Sequence, residues 1–235
     1  MSTDISLIHS QLPAELIEQL KVQADLERAR LGNNSEADVI RVSQNKKFQF
    51  PKSDELVDEF DAVIVNFAFR NNYYLGRYNP KEVVPPACFA ISENSRDLVP
   101  SVNSPKIQAD DCASCQQNQF GSSPTGGGKA CKNTVVIGVV PADDQENHPI
   151  MVVNVSPTSL TAFNKYVNHV MDKTKLTVQT VVTKFYFDPK SDYPSIRFEM
   201  VAPNTKIMET FARKDEALRR VMAEPDVSGF SEGKK

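Results

Sequence analysis

Asp61 to Phe69 read DAVIVNFAF. β-Branched and aromatic residues fill this stretch and no Gly or Pro interrupts it, so it predicts a buried β-strand. Working downstream, the same signal returns at Asn133 to Val140 (NTVVIGVV), at Ile150 to Val155 and at Thr177 to Phe187. Ile196, Phe198 and Met200 then alternate with Arg197 and Glu199, the pattern of a sheet with one wet face. Upstream, Lys47 to Phe50 alternates like a short strand. Three helices accompany these strands. From Pro13 to Leu31, Leu16, Ile17, Leu20, Ala24 and Leu31 fall near helical spacing, with Gly32 as a stop. Ser156 as N-cap and Pro157 in the first turn open a second, in which Leu160, Phe163, Val167, Val170 and Met171 share a face. The third runs from about Thr205 to Ala223 on Ile207, Met208, Phe211, Leu218, Val221 and Met222. Five or six strands without strict β-α-β alternation disfavour a doubly wound parallel sheet. The expectation is a mainly β, α+β chain: a closed or nearly closed antiparallel barrel with peripheral helices.

Composition narrows the function. The 235 residues are 40% hydrophobic, enough for a real core, and 24% charged. Mean hydropathy is -0.38. No apolar run approaches the roughly 18 residues of a membrane span, and the opening MSTDISLIHSQLPAEL has no export-signal pattern, so the expected compartment is the cytoplasm. With 27 Lys+Arg against 30 Asp+Glu the formal charge is -3. The distribution says more than the sum, because Arg41 to Lys52 and Ala62 to Lys81 hold basic residues and no acid.

Between Pro85 and Ala130 apolar periodicity nearly disappears among Pro, Ser, Asn, Asp and Gly. A stretch of that length needs another source of order. Cys112, Cys115 and Cys131 form C-x2-C-x15-C, and Cys88 lies upstream in PPACFAI. Four thiolates suit the tetrahedral preference of Zn2+, and a C-x2-C turn aims two of them at one ion. The expected cofactor is a structural zinc held by Cys88, Cys112, Cys115 and Cys131. A redox C-x2-C pair, or Cys88 as an ordinary buried thiol, are the competing readings.

Catalytic patterns do not assemble. GSSPTGGGKAC departs from a phosphate loop, since Ser123 stands where Gly is needed and Ala130 where a hydroxyl is needed. His9, His148 and His169 form no metal-binding pair. Asp54, Glu55, Asp58, Glu59 and Asp61 suit a solvated acidic face better than a magnesium-dependent nuclease. The chain reads as a non-enzyme.

Rings interleaved with cations point elsewhere. Lys46 and Lys47 precede Phe48 and Phe50, and Phe67 to Tyr78 run FAFRNNYYLGRY. Unpaired nucleic acid needs rings to stack on and cations to follow its phosphates. Phe67 and Phe69 are expected in the core. The candidate contacts are Lys46, Lys47, Arg70, Tyr73, Tyr74, Arg77, Tyr78, Lys129 and Lys132. Lys184, Tyr186 and Arg197 join them on the strand face opposite Phe185, Phe187 and Phe198.

Taken together, IRVSQNKKFQF, DAVIVNFAF, NNYYLGRY, PPACFA, CASCQQNQFGSSPTGGGKAC with NTVVIGVV, SPTSLTAFNKYV, TVVTKFYFD and YPSIRFEMV resemble a family of bacteriophage single-stranded DNA-binding proteins. That resemblance implies an OB-like barrel of five to six antiparallel strands with a zinc-binding insertion at about 85–132, the four cysteines being its ligands. The resemblance spans about residues 38–202, the barrel, and the helical periodicity outside it sets apart an N-terminal extension (1–37) and a C-terminal helix with a flexible tail (203–235). The implied function is coating single-stranded DNA with low sequence preference in phage replication or recombination, inside the host cytoplasm. Replication or recombination proteins and a second copy of the chain are the further expected partners. A zinc-stabilised interaction or phage assembly factor is the alternative.

Overall fold

The strand predicted at Asp61 to Phe69 is the middle of a longer one around which a single sheet curls. In the computed structural model, residues 13–17, 19–20, 23, 38–76, 84–124 and 126–231 are described. The chain divides into two units, residues 1–37 and 38–235. In the first, residues 14–17, 19–20 and 23 are helical. The Ile17 N–H donates to the Pro13 carbonyl at 3.0 Å. The rest of the helix expected up to Leu31 lies outside the described residues.

The second unit holds nine strands among its described residues: β1 (Val39–Val42), β2 (Phe48–Gln49), β3 (Leu56–Val57), β4 (Glu59–Tyr73), β5 (Cys88–Ser92), β6 (Lys132–Pro141), β7 (Met151–Val155), β8 (Val181–Phe187) and β9 (Ile196–Pro203). Their order is β3-β2-β1-β7-β6-β4-β8-β9, with β5 also on β4. One edge of β4 pairs with β6 from Ala62 to Asn72. Its other edge is shared, by β8 over Glu59–Ala62 and by β5 over Phe69–Tyr73. The register shifts between Ile64 and Asn66, and the Asn66 Oδ1 accepts the Phe67 N–H at 2.8 Å. This bulge bends the strand, and because it adds one residue, Ala62, Ile64, Phe67 and Phe69 all reach the same core.

The concave side of the sheet is filled by aromatic rings. Phe48 stacks on Phe187 at 4.2 Å, Phe60 on Phe185 at 4.7 Å, and Phe163 meets Phe67 edge-on at 5.1 Å. Phe163 comes from α1 (Pro157–Thr174), which lays Ser159, Phe163, Tyr166 and Val170 onto this core. Ser156 stands at the N-cap, though its hydroxyl bonds those of Thr158 and Ser159 rather than a backbone amide. Tyr166 takes the buried place that periodicity gave to Met171, which is exposed. The buried Tyr166 hydroxyl is satisfied by Thr183 Oγ1 at 2.5 Å.

The opposite side of β4 and β6 is covered by the last helix. The expected span of about Thr205 to Ala223 breaks into α2 (Ile207–Ala212) and α3 (Lys214–Val221). At the break, Arg213 donates to the carbonyls of Gln145 (2.9 Å) and His148 (2.7 Å) and pairs with Glu216. Ala217 of α3 packs with Val63, Val65, Val140 and Ile150, and Val221 packs with Ala68, Val136 and Val152.

The architecture therefore corrects the expected one. The fold is mainly β with a few helices, but the sheet is a curled, mixed half-barrel of nine strands rather than an antiparallel barrel of five to six. β1 runs parallel to β7, pairing Val39 with Val152 and Ile40 with Val153. The path ends at β3 and β9 without closing. Side chains bridge the opening: the Phe48–Phe187 stack, and Lys46 Nζ donating to the Asp188 carbonyl at 3.4 Å. Among the described residues no helix is long and apolar enough to cross a membrane.

Candidate functional site

The segment between β5 and β6 has little regular structure beyond a 3-10 turn at Gln116–Asn118. It is nevertheless tied down. The Ser101 N–H reaches the Phe89 carbonyl (2.8 Å), Lys106 N–H the Ala87 carbonyl (2.7 Å), and the Phe89 N–H the Ser104 hydroxyl (3.0 Å). These bonds satisfy the outer edge of β5. At the far end, the Cys131 N–H donates to the Gln117 carbonyl at 2.8 Å, drawing the loop back onto β6.

All four cysteines return to one place. Cys88, Cys112, Cys115 and Cys131 are free thiols, each 8% exposed, and line one cavity with Asn71 and Tyr73. Its volume is about 10 Å3, the room of a single small sphere. Burial pushes the Cys131 thiol up to about 12, reinforced by Cys112, Cys115 and Cys88. Burial also raises Cys112, against a hydrogen bond from the Asn71 side chain. Such mutual opposition to ionisation is what a cation among the sulfurs would reverse. The sulfurs do not stand as a formed ligand set, however. Among the described residues no three His, Cys, Asp or Glu side chains are grouped closely enough to hold a metal ion.

Around this cavity the fold joins two acid-free segments, the second half of β4 and the chain from Cys112 to Ala142. Asn72 on β4 is in register with Lys132 on β6. The Asn133 Nδ2 donates to Asn71 Oδ1 (2.6 Å) and Asn118 Oδ1 (2.9 Å), stitching strand to loop. Tyr73 lines the cavity, and Tyr74, 39% exposed, lies within electrostatic reach of Arg70 and Cys131. Lys129 donates to Asn133 Oδ1 (3.0 Å) and Asn118 Oδ1 (3.3 Å) and sits 5.2 Å over the ring of Phe120. That ring is 82% exposed. Sequence reasoning missed Phe120, although a lone aromatic in a polar, acid-free loop was a usable signal.

Other candidates have different employment. Arg70 donates to the carbonyls of Ala223 (2.6 Å) and Val221 (3.5 Å), and burial lowers the pKa of its guanidinium. It ties β4 to the end of α3. Lys46 reaches the Asp188 carbonyl, and Lys47 pairs with Asp58 at 2.6 Å. On the outer face of the sheet, Glu59, Tyr186 and Arg197 form one row across β4, β8 and β9, and Asp61, Lys184 and Glu199 form the next. Lys184 bonds Glu59 at 2.9 Å and Arg197 bonds Asp188 at 2.7 Å. The face therefore carries more acid than base. Glu59, Asp61 and the neighbouring Asp58 oppose lysines along the sheet instead of converging on a metal. Arg77 and Tyr78 lie outside the described residues.

Comparison with protein families, with curated proteins and with solved structures finds no match to this chain.

Proposed function

We propose that this chain binds single-stranded DNA with low sequence preference, as an accessory of phage replication or recombination, and that it does so at the cysteine end of its curled sheet. We read that sheet as an OB-type barrel left open on one side, and the segment between β5 and β6 as its zinc-bearing insertion. One observation carries the reading: two acid-free segments far apart in the chain meet, gathering Tyr73, Tyr74, Phe120, Lys129 and Lys132 beside one cavity. Rings to stack on and cations to follow the phosphates are what unpaired nucleic acid requires.

Zinc suits the four-thiol donor set, and its charge would stabilise the thiolates that burial disfavours. Binding requires the sulfurs to draw closer than they stand. Filled by four thiolates, such an ion orders the loop and offers no position for chemistry.

The test is a salt titration of fluorescent thymidine-oligomer binding. Affinity at low ionic strength that falls linearly in log-log form with salt is expected; no affinity, or none of the salt dependence, refutes the reading. A protein-interaction or assembly role is favoured by Val99, Val102 and Ile107, which the same segment exposes. Under that reading Phe120→Ala leaves the oligomer's behaviour unchanged.

A further inference from the structure

Away from the cysteines, a groove of about 440 Å3 runs between α1 and β9. Thr158, Thr161, Lys165 and His169 line it from α1, at steps of three and four residues that place them on one helical stripe. Arg197 and Phe198 line it from β9. Its volume falls within the roughly 300–1,000 Å3 of small-ligand sites. Three nitrogen-bearing basic side chains and the hydroxyl-bearing Thr158, Thr161 and Tyr166 share the lining, and no carboxylate does. Asp188 stands behind, on the Arg197 guanidinium, which also donates to Ser195 Oγ (2.8 Å) and the Ile196 carbonyl (3.1 Å). These bonds hold the guanidinium in one orientation. Lys165 and His169 are exposed, and neither has a hydrogen-bond or ion-pair partner among the described residues.

We propose that this groove holds a segment of single-stranded nucleic acid about one nucleotide long, its phosphodiester taken by Lys165, His169 and Arg197 and its base laid against Phe198. This rests on the reading of the chain as a single-strand binder and adds a second contact region to it. With Nη1 spent on Ser195 and Ile196 and Nη2 bonded to Asp188, the fixed guanidinium keeps its Nε–H and one Nη2–H for phosphate oxygens. Lys165 supplies charge, and the threonine hydroxyls supply neutral donors. Phe198 keeps its ring against Phe163 and Phe185 at 5.4 and 5.3 Å and is stacked by Tyr166 at 5.7 Å, so the two lining rings form one rigid wall. A purely apolar or mixed-sign groove would have no such preference for an anion.

The experiment compares the full chain with Lys165→Ala/His169→Ala and with Lys173→Ala, a lysine of the same helix that does not line the groove. A labelled thymidine oligomer is titrated at several salt concentrations. The double variant is expected to bind at least about tenfold more weakly at low salt and to show a salt slope shallower by roughly 0.7 per lost phosphate contact. Lys173→Ala is expected to keep the slope. Thr161→Glu, which sets a carboxylate among the cations, should weaken binding comparably. All altered side chains are exposed, and unchanged circular dichroism melts check the fold. If the unaltered chain binds while the double variant matches it in affinity and slope, the groove is not a contact and the single-strand reading stands. A loss of affinity without a change in slope also overturns the groove. If the unaltered chain binds no oligomer, both readings fall.

Discussion

Gly138 shows how one residue sets the distance between layers. It lies in β6 beneath α3, and a Cβ at that position would meet Ile150 Cγ2 and Val221 Cγ1 at 3.3 Å and Ala217 Cβ at 3.4 Å. Replacing Gly in a strand ordinarily helps by up to about 1 kcal/mol, by removing backbone freedom from the unfolded chain. Here the neighbours cannot yield readily. Ile150, Ala217 and Val221 are fully buried, and α3 is fixed at its start by the Arg213–Glu216 pair and near its end by Arg220 with Asp38 at 3.1 Å. Overpacking at such sites costs about 1–3 kcal/mol, so crowding outweighs the entropic gain. Gly138→Ala is therefore expected to lower the denaturant midpoint at unchanged m-value, by an amount in that range. A midpoint that rises would show that α3 lifts away freely.

At the level of elements, the last helix depends on a cation that the sequence assigned to DNA. α3 has only eight residues, too few to hold its own end, and Arg70 satisfies the carbonyls of Val221 and Ala223 that the helix leaves open. Arg70→Met should cost about 1–3 kcal/mol of stability, the range for leaving buried polar groups unpaired, while thymidine-oligomer affinity stays within about twofold because no phosphate contact is lost. A large loss of affinity at unchanged stability would return Arg70 to the DNA surface. The cysteine segment makes the opposite case. It has few regular bonds, so a strong chelator, or Cys112→Ser, is expected to expose residues 93–130 to protease while the sheet resists; equal protease resistance with and without chelator would remove zinc from the account. These elements differ in how visible they are in sequence. DAVIVNFAF announces a strand because its β-branched residues are buried on both sides, yet strict alternation sends Ile64 and Phe67 to opposite faces. Only the bulge at Asn66 reunites them. β5 is hidden because PPACFAI is short and its order comes from β4 and the loop beyond it. The β1–β7 pairing joins residues over a hundred positions apart, so local pattern carries no trace of it. Spacing pointed to Cys112, Cys115 and Cys131 together, and the structure lines one cavity with them and Cys88 without grouping them closely enough to hold a metal, whereas Phe120 stands nine residues from Lys129 and acquires its cation only when the loop folds.

On the scale of the whole molecule, a chain of charge -3 must bind a polyanion, if it does so, by separating its charges. The two ends of β4 divide that labour. Near Glu59 and Asp61 the outer face carries Glu199 as well, and its Lys184 is already paired with Glu59. Glu59 raises the pKa of Lys184, with smaller help from Asp61 and Glu199, so that lysine holds its charge at any physiological pH and spends it on its neighbours. Near Tyr73 the second half of β4 and the chain from Cys112 to Ala142 carry no acid, and Asp111 adjoins Cys112 at the segment's start. Under the proposed function, the first region would repel a strand of DNA and the second would receive it. Lys184→Ala should accordingly leave thymidine-oligomer affinity unchanged within about twofold, since a paired surface lysine neutralises no phosphate. Phe120→Ala should weaken binding by about 1–3 kcal/mol, the worth of one stacked base. Lys129→Ala with Lys132→Ala should make the salt slope shallower by roughly 0.7 per lysine. Fluorescence anisotropy across a salt series reads all three together. Were Lys184→Ala to abolish binding while Phe120→Ala did nothing, the DNA path would have to cross the acidic face, and the division of charge along β4 would have no bearing on it.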